Sequence, residues 1–183
     1  MTETTMKDDA RQQVSLAKNE VTTSSASLIP SAQPVLETLF GLYPRLFGAE
    51  FLPLKLGVFQ ELLEKTPDHF QRDPLKHALG VHTRSTRFLL CVAARKPRHD
   101  LQGLALEPVA PEHVYMALLE LFRRKQARTK EDLRPKLRSQ LMVAFDASGL
   151  TRQDYLAKVP GNDPQIQVAQ VIESRRIKKL TLT

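Results

Sequence analysis

From Pro34 onward, the apolar residues of this chain recur at helical spacing, in segments that proline and glycine keep short. That periodicity points to a mostly helical architecture. Val35, Leu36, Leu39 and Phe40 form a first stripe behind Pro34, until Pro44 interrupts it. A second helix is expected from Pro53 to Lys65, with Leu56, Phe59, Leu62 and Leu63 on one side. Asp73–Pro74 reads as a cap followed by a first-turn proline, for a short helix that carries Leu75, Ala78 and Leu79 and ends or bends at Gly80. Thr83 reads as the cap of a helix from Arg84 to Ala94. Pro111 opens a long helix through Arg124, with Val114, Leu118, Leu121 and Phe122 as its stripe. Leu133, Leu137, Leu141 and Phe145 lie four apart in a helix stopped by Gly149, and Thr151 with Asp154 resembles a capping box. Asp163–Pro164 would start a last helix to Lys179. The exception is Arg98 to Val109, where Leu101, Leu104 and Leu106 flank Gln102–Gly103 and suggest a small β-hairpin or extended loop. The expected fold class is therefore mostly α with a small β-hairpin (α+β).

The chain has 183 residues, 42% of them hydrophobic and 26% charged, which excludes a wholly disordered or collagen-like chain. One compact domain with tails fits that length. Residues 1–30 are rich in Thr, Ser and Gln and are expected to form a disordered leader. The domain is expected over 31–128 and a looser helical C-terminal extension over 129–183. No window approaches the roughly 18 apolar residues of a membrane span. No basic-then-apolar signal opens the chain, so a cytoplasmic location is expected. Cys91 is the only cysteine, which excludes an internal disulfide framework and a cysteine-built zinc site.

The formal charge is +7, which suits a polyanionic partner, and its distribution is uneven. Residues 1–30 sum to −1, 31–130 to +5 and 131–183 to +3. Between Arg72 and Arg98 seven basic residues stand against one acid, Asp73, and from Arg84 to Arg98 there is none. Such a run is commonly a solvated helix face, but folded surfaces normally intersperse the signs. On a wheel of about 100° per residue, Arg84, Arg87, Cys91 and Arg95 fall in one sector with Phe88 at its edge, while Leu89, Val92 and Ala93 would face the core. The start of this helix would offer N–H groups without intrahelical acceptors at the positive end of the dipole. With Thr83 and Ser85 hydroxyls and the Arg84 and Arg87 guanidinium groups around it, that start is suited to a phosphate. Phe88 would offer a ring for stacking a base or ribose.

Three ordered segments carry a family resemblance. Pro53-Leu54-Lys55-Leu56-Gly57-Val58-Phe59-Gln60-Glu61-Leu62 is one; Leu75-Lys76-His77-Ala78-Leu79 through His82-Thr83-Arg84-Ser85-Thr86-Arg87-Phe88-Leu89 is the second; Arg98-His99-Asp100-Leu101-Gln102-Gly103 is the third. In order and spacing, across about 35–125, they resemble the ProQ/FinO family of bacterial RNA chaperones. The resemblance implies a compact FinO-like helical RNA-binding domain with a small hairpin. It further implies binding to intrinsic-terminator hairpins and 3′ uridine tails of small RNAs and mRNAs, in post-transcriptional regulation. By matching positions, it implies that Thr83, Arg84 and Ser85 hold the RNA 3′ end. Lys55, Lys76 and Arg98 match the family's basic positions, and Arg87 a commonly basic one. Phe88 stands where the family usually has Tyr and lacks a hydroxyl bond worth about 0.5–1.5 kcal/mol. Gly80 stands where relatives often carry a basic residue. The RNA-binding residues expected are therefore Lys55, Lys76, Thr83, Arg84, Ser85, Arg87, Phe88, Arg95 and Arg98, in a monomer with RNA as partner and no cofactor, small-molecule substrate or membrane.

Two other classes compete. Ser148-Gly149-Leu150-Thr151 between helical patterns could be the corner of a helix-turn-helix DNA-binding regulator, although the second segment is short. An enzyme or metal protein would need more than the sequence holds. His77, His82, His99 and Cys91 match no common ligand spacing, and no nucleophile elbow, P-loop or paired-carboxylate arrangement is present. No metal site and no catalysis are expected.

Overall fold

The computed structural model of the protein describes residues 32–159. The expected leader and the last helix expected to Lys179 lie outside the described residues. The helices run in the order α1 Ala32–Leu42, α2 Pro44–Phe47, α3 Val58–Lys65, α4 Arg72–Arg84, α5 Thr86–Ala93, α6 Pro111–Gln126, α7 Arg134–Ser148 and α8 Arg152–Lys158.

The mostly helical expectation holds, and the stripes behind Pro34 and Pro111 sit in α1 and α6. Three boundaries move. The helix expected from Pro53 begins only at Val58, because Gly57 turns the chain with φ +79°, and Leu56 is left exposed. Gly80 neither ends nor bends α4. One glycine in a helix interior costs about 1 kcal/mol, and Leu75, Ala78, Leu79 and His82 continue the buried stripe across it. Asp73 is no cap; Gln71 precedes α4 and Pro74 lies in its first turn, where no N–H is needed.

The small β-hairpin is not confirmed. Among the described residues there is no strand, only two isolated bridges that both use His99: one parallel to Leu54, one antiparallel to Ala105. The reversal between them is local chemistry. The Asp100 carboxylate accepts from the Gln102 and Leu104 N–H groups at 2.9 Å, and Gly103 takes φ +79°.

The core forms between α1 and α4, between α5 and α6, and between α6 and α7. The helices past residue 128 are not a loose appendage, since Leu133, Leu137, Leu141 and Tyr155 are buried in the same apolar cluster as Leu118 and Phe122 of α6. Gly149, at φ +66°, ends α7, and the Thr151 hydroxyl caps α8 by accepting from the Asp154 N–H at 3.2 Å. The turn expected for a helix-turn-helix is thus present, but α8 has only seven residues and buries Tyr155.

Candidate nucleic-acid interface

The break between α4 and α5 is a single extended residue, Ser85, at φ −64° and ψ 148°. Its N–H donates to the His82 carbonyl at 3.0 Å, and its hydroxyl accepts from the Phe88 N–H at 3.2 Å. Ser85 therefore closes one helix and caps the next. Thr83 is not the cap. It lies in the last turn of α4 and donates its hydroxyl to the Leu79 carbonyl at 2.8 Å, a helix-interior use of threonine. The open N–H groups at the positive end of α5 are consequently those of Thr86 and Arg87, which meet no acceptor among the described residues.

The side of α5 that is buried also differs from the expected one. Phe88, Cys91 and Val92 face the core, and Leu90 is 55% exposed. Phe88 packs edge-on against His82, with ring centroids 5.4 Å apart, so it has no open face for stacking a base. The expected sector of Arg84, Arg87, Cys91 and Arg95 dissolves as well. Arg84 belongs to α4, Cys91 is buried, and Arg95 lies past the end of α5 at φ +59° and donates to the Val143 carbonyl of α7 at 2.9 Å. Burial pushes the Cys91 thiol up to about 11, and the thiol donates to the Phe88 carbonyl at 2.9 Å.

Arg87 is held beside the α5 start. Its guanidinium lies 4.3 Å from the centroid of the Phe51 ring and donates to the Ala49 carbonyl. Phe51 in turn stacks on His82 at 4.4 Å. His82 is 2% exposed among Phe47, Phe51 and Phe88, and its Nε2 has no partner. Burial first, and then the neighbouring Arg87 cation, lower its pKa to about 4, so the ring is neutral at pH 7. A cation from α6 completes the rim: Arg124 donates to the Thr86 hydroxyl at 3.2 Å and pairs with Glu120 at 2.8 Å. Sequence reading misses Phe51 and Arg124, because both arrive through tertiary packing from more than thirty residues away.

Lys76 and Arg84 are exposed on α4, at positions that share a face with Gly80, and neither side chain meets a partner among the described residues. The Arg84 guanidinium folds back over Gly80, lying 3.2 Å from where a Cβ would stand. A positive charge thus covers position 80 although the residue there is glycine.

Lys55 and Arg98 meet across the Leu54–His99 bridge, where the Lys55 N–H donates to the His99 carbonyl at 3.0 Å. Lys55 pairs with Glu61 at 2.6 Å, and Lys65 joins the same carboxylate at 2.7 Å. The Lys55 and Lys65 contacts hold the Glu61 carboxyl below its ordinary range. Arg98 is a clamp rather than a free cation. Its side chain is 12% exposed, donates to the Leu54 carbonyl at 2.7 Å, and lies 3.3 Å from His113 Nδ1. Phe51 and Lys55 are four residues apart, so Lys55 lies within roughly 14 Å of the Phe51 backbone, on which Arg87 rests. Among the described residues no cluster of three or more His, Cys, Asp or Glu side chains could hold a metal, and no helix is long and apolar enough to cross a membrane.

The ProQ/FINO family profile matches residues 29–134, more than half of the chain. The chain is 35% identical over 94 residues to the RNA chaperone ProQ of Shewanella pealeana, covering 49% of this chain and 44% of that protein. It is 31% identical over 118 residues to the RNA chaperone ProQ of Shewanella baltica, covering 61% and 56%. It spans about half the length of the curated relatives it matches. Among solved structures, a FinO-like RNA chaperone from Neisseria meningitidis aligns with a TM-score of 0.43 and 27% identity, over 47% of this chain and 88% of that one. A ProQ homolog from Legionella pneumophila aligns with a TM-score of 0.41 and 26% identity, over 57% and 91%.

Proposed function

The chain belongs to the ProQ/FINO family, and from that premise we infer that it is a non-enzymatic RNA-binding protein and RNA chaperone of the cytoplasm. Its ligands on this reading are intrinsic-terminator hairpins with 3′ uridine tails, in small RNAs and mRNA 3′ ends. The observation that carries the reading is the α5 start: two open N–H groups, the Ser85 hydroxyl, and guanidinium groups at Arg87 and Arg124 beside it. Those are the donors a terminal phosphodiester or ribose hydroxyl requires, at the positive end of a helix dipole. Lys76 and Arg84 along α4 would follow the hairpin backbone, and Lys55 would extend the track across the bridge to residue 99. Phe88, Thr83 and Arg98 act on this site through the fold. Phe88 and Thr83 set the end of α4 and the start of α5, and Arg98 holds the Lys55 segment in place.

Fluorescence anisotropy with a terminator hairpin tests this. A hairpin with a free uridine tail is expected to bind with strong salt dependence. The same hairpin without its tail is expected to bind at least about tenfold more weakly, a loss of about 1.4 kcal/mol. Equal affinity for the two RNAs would remove the 3′-end role of the α5 start. Equal affinity for a duplex DNA of the same charge would favour the helix-turn-helix alternative at α7 and α8.

A further inference from the structure

A second concave surface lies apart from the α4 face. It is a groove of about 690 Å³ between α5, α6 and α7, open to solvent along one side. Its floor is mainly aliphatic, built from Leu90 of α5, Leu121 of α6 and Leu137 and Val143 of α7 beside the buried ring of Phe122. Leu90 and Val143 are each 55% exposed, although they flank a surface already shaped to receive something. Lys136 and Val143 lie beyond the residues the family profile matches, so the groove exists only because α7 packs on α6.

The rim is positive, and although Arg124 pairs with Glu120, three of its cations stand uncompensated. Lys125, Arg128 and Lys136 line it, their side chains are exposed, and they meet no ion pair or hydrogen bond among the described residues. No carboxylate lines the groove. Its occupant must therefore combine an apolar ridge with flanking negative charge. The one aromatic ring in the lining, Phe122, is 7% exposed and gives nucleobases little to stack on, whereas three helices arranged around a trough match the way an amphipathic helix inserts its apolar face.

We propose that the groove between α5, α6 and α7 docks an amphipathic helix of a partner protein, with leucine-type residues at i, i+3, i+4 and i+7 and acidic residues on both flanks. The groove adjoins the α5 start, since Thr86 and Arg124 also line it, but the proposal uses neither Lys76 nor the open N–H groups of α5.

The test uses the full chain and a labelled 18-residue designed helix with leucine at those positions and glutamate elsewhere. A matching helix with lysine for glutamate and a labelled oligouridylate serve as comparisons. The acidic helix is expected to bind saturably and the basic one not. Val143→Asp, and separately the pair Lys125→Glu with Lys136→Glu, should each weaken it about tenfold or more. Lys76→Glu should leave it unchanged and weaken oligouridylate instead. All four positions are exposed, so the variants keep their fold, which circular dichroism verifies. Absence of binding, or binding indifferent to the groove substitutions, overturns the proposal. Loss of oligouridylate binding in the Lys125→Glu, Lys136→Glu pair also overturns it and assigns the groove to RNA.

Discussion

His82 shows what one buried side chain can do beneath a candidate binding surface. It is neutral among three phenylalanines, below the Arg87–Phe51 stack. In the unfolded chain the ring titrates near 6.5, in the folded protein at about 4. Between those values the unfolded state takes up a proton that the native state refuses, so stability falls as pH drops through that window and levels off below it. The slope approaches about 1.4 kcal/mol per pH unit for one proton. His82→Phe should flatten this part of the curve. Urea midpoints from pH 7.5 to 4 would check it, and parallel curves for the two proteins would contradict it. Arg84 and Arg98 should separate in the same laboratory. Arg84→Ala is expected to leave stability within about 0.5 kcal/mol and to reduce the salt slope of RNA binding by about 0.7–0.9. Arg98→Ala removes the donors to the Leu54 carbonyl and should cost about 1–3 kcal/mol of stability, read as a lower denaturant midpoint.

At the scale of the helices, the decisive feature is where α4 stops. Ser85→Ala should cost about 1 kcal/mol, because it strips the cap from α5, and should weaken RNA binding with it. Thr83→Val should change stability by less than half of that, since its hydroxyl only doubles an occupied carbonyl. Chemical denaturation of the two variants distinguishes the assignments. The glycines offer a paired test. Gly80→Ala should stabilise by about 0.5–1 kcal/mol, as only the flexible end of Arg84 must move. Gly57→Ala should destabilise by about 1 kcal/mol despite open space around it, because φ is +79° there. Amphipathic spacing makes α1, α6 and α7 legible, since one unbroken stripe defines each. The α4–α5 boundary is not legible in that way. Thr83 and Ser85 are both good caps, and the choice falls to His82, whose burial keeps the helix going two residues further. The hairpin is not confirmed as strands, because Asp100 and Gly103 satisfy the turn locally and the pairing around it forms only single bridges. Among site residues, Lys76 and Arg84 are exposed on α4, although the sequence pattern places Arg84 on the helix that follows. Phe88 is buried, because an aromatic at a helix edge becomes core or surface according to a small rotation of that helix.

For the molecule as a whole, the family profile ends at residue 134, but the apolar core continues through Val159. Leu137→Ala should therefore cost about 2–5 kcal/mol, visible as a lower thermal midpoint, although the residue lies outside the matched region; its side chain is 1% exposed. A variant that unfolds like the parent would mean that α7 is only resting on α6. Exchange of this domain between proteins would need the cut after α8 rather than at the end of the matched segment. The two single bridges at His99 carry a last consequence, for behaviour at high concentration. A longer hairpin would expose a row of unpaired amide and carbonyl groups on which a neighbouring molecule can build sheet. Here Leu54 and Ala105 take both sides of His99, and the hydrogen bonds beyond it reach only from Arg98 to Leu106 and Glu107. Among the described residues this short turn leaves little free edge on which β-aggregation could build.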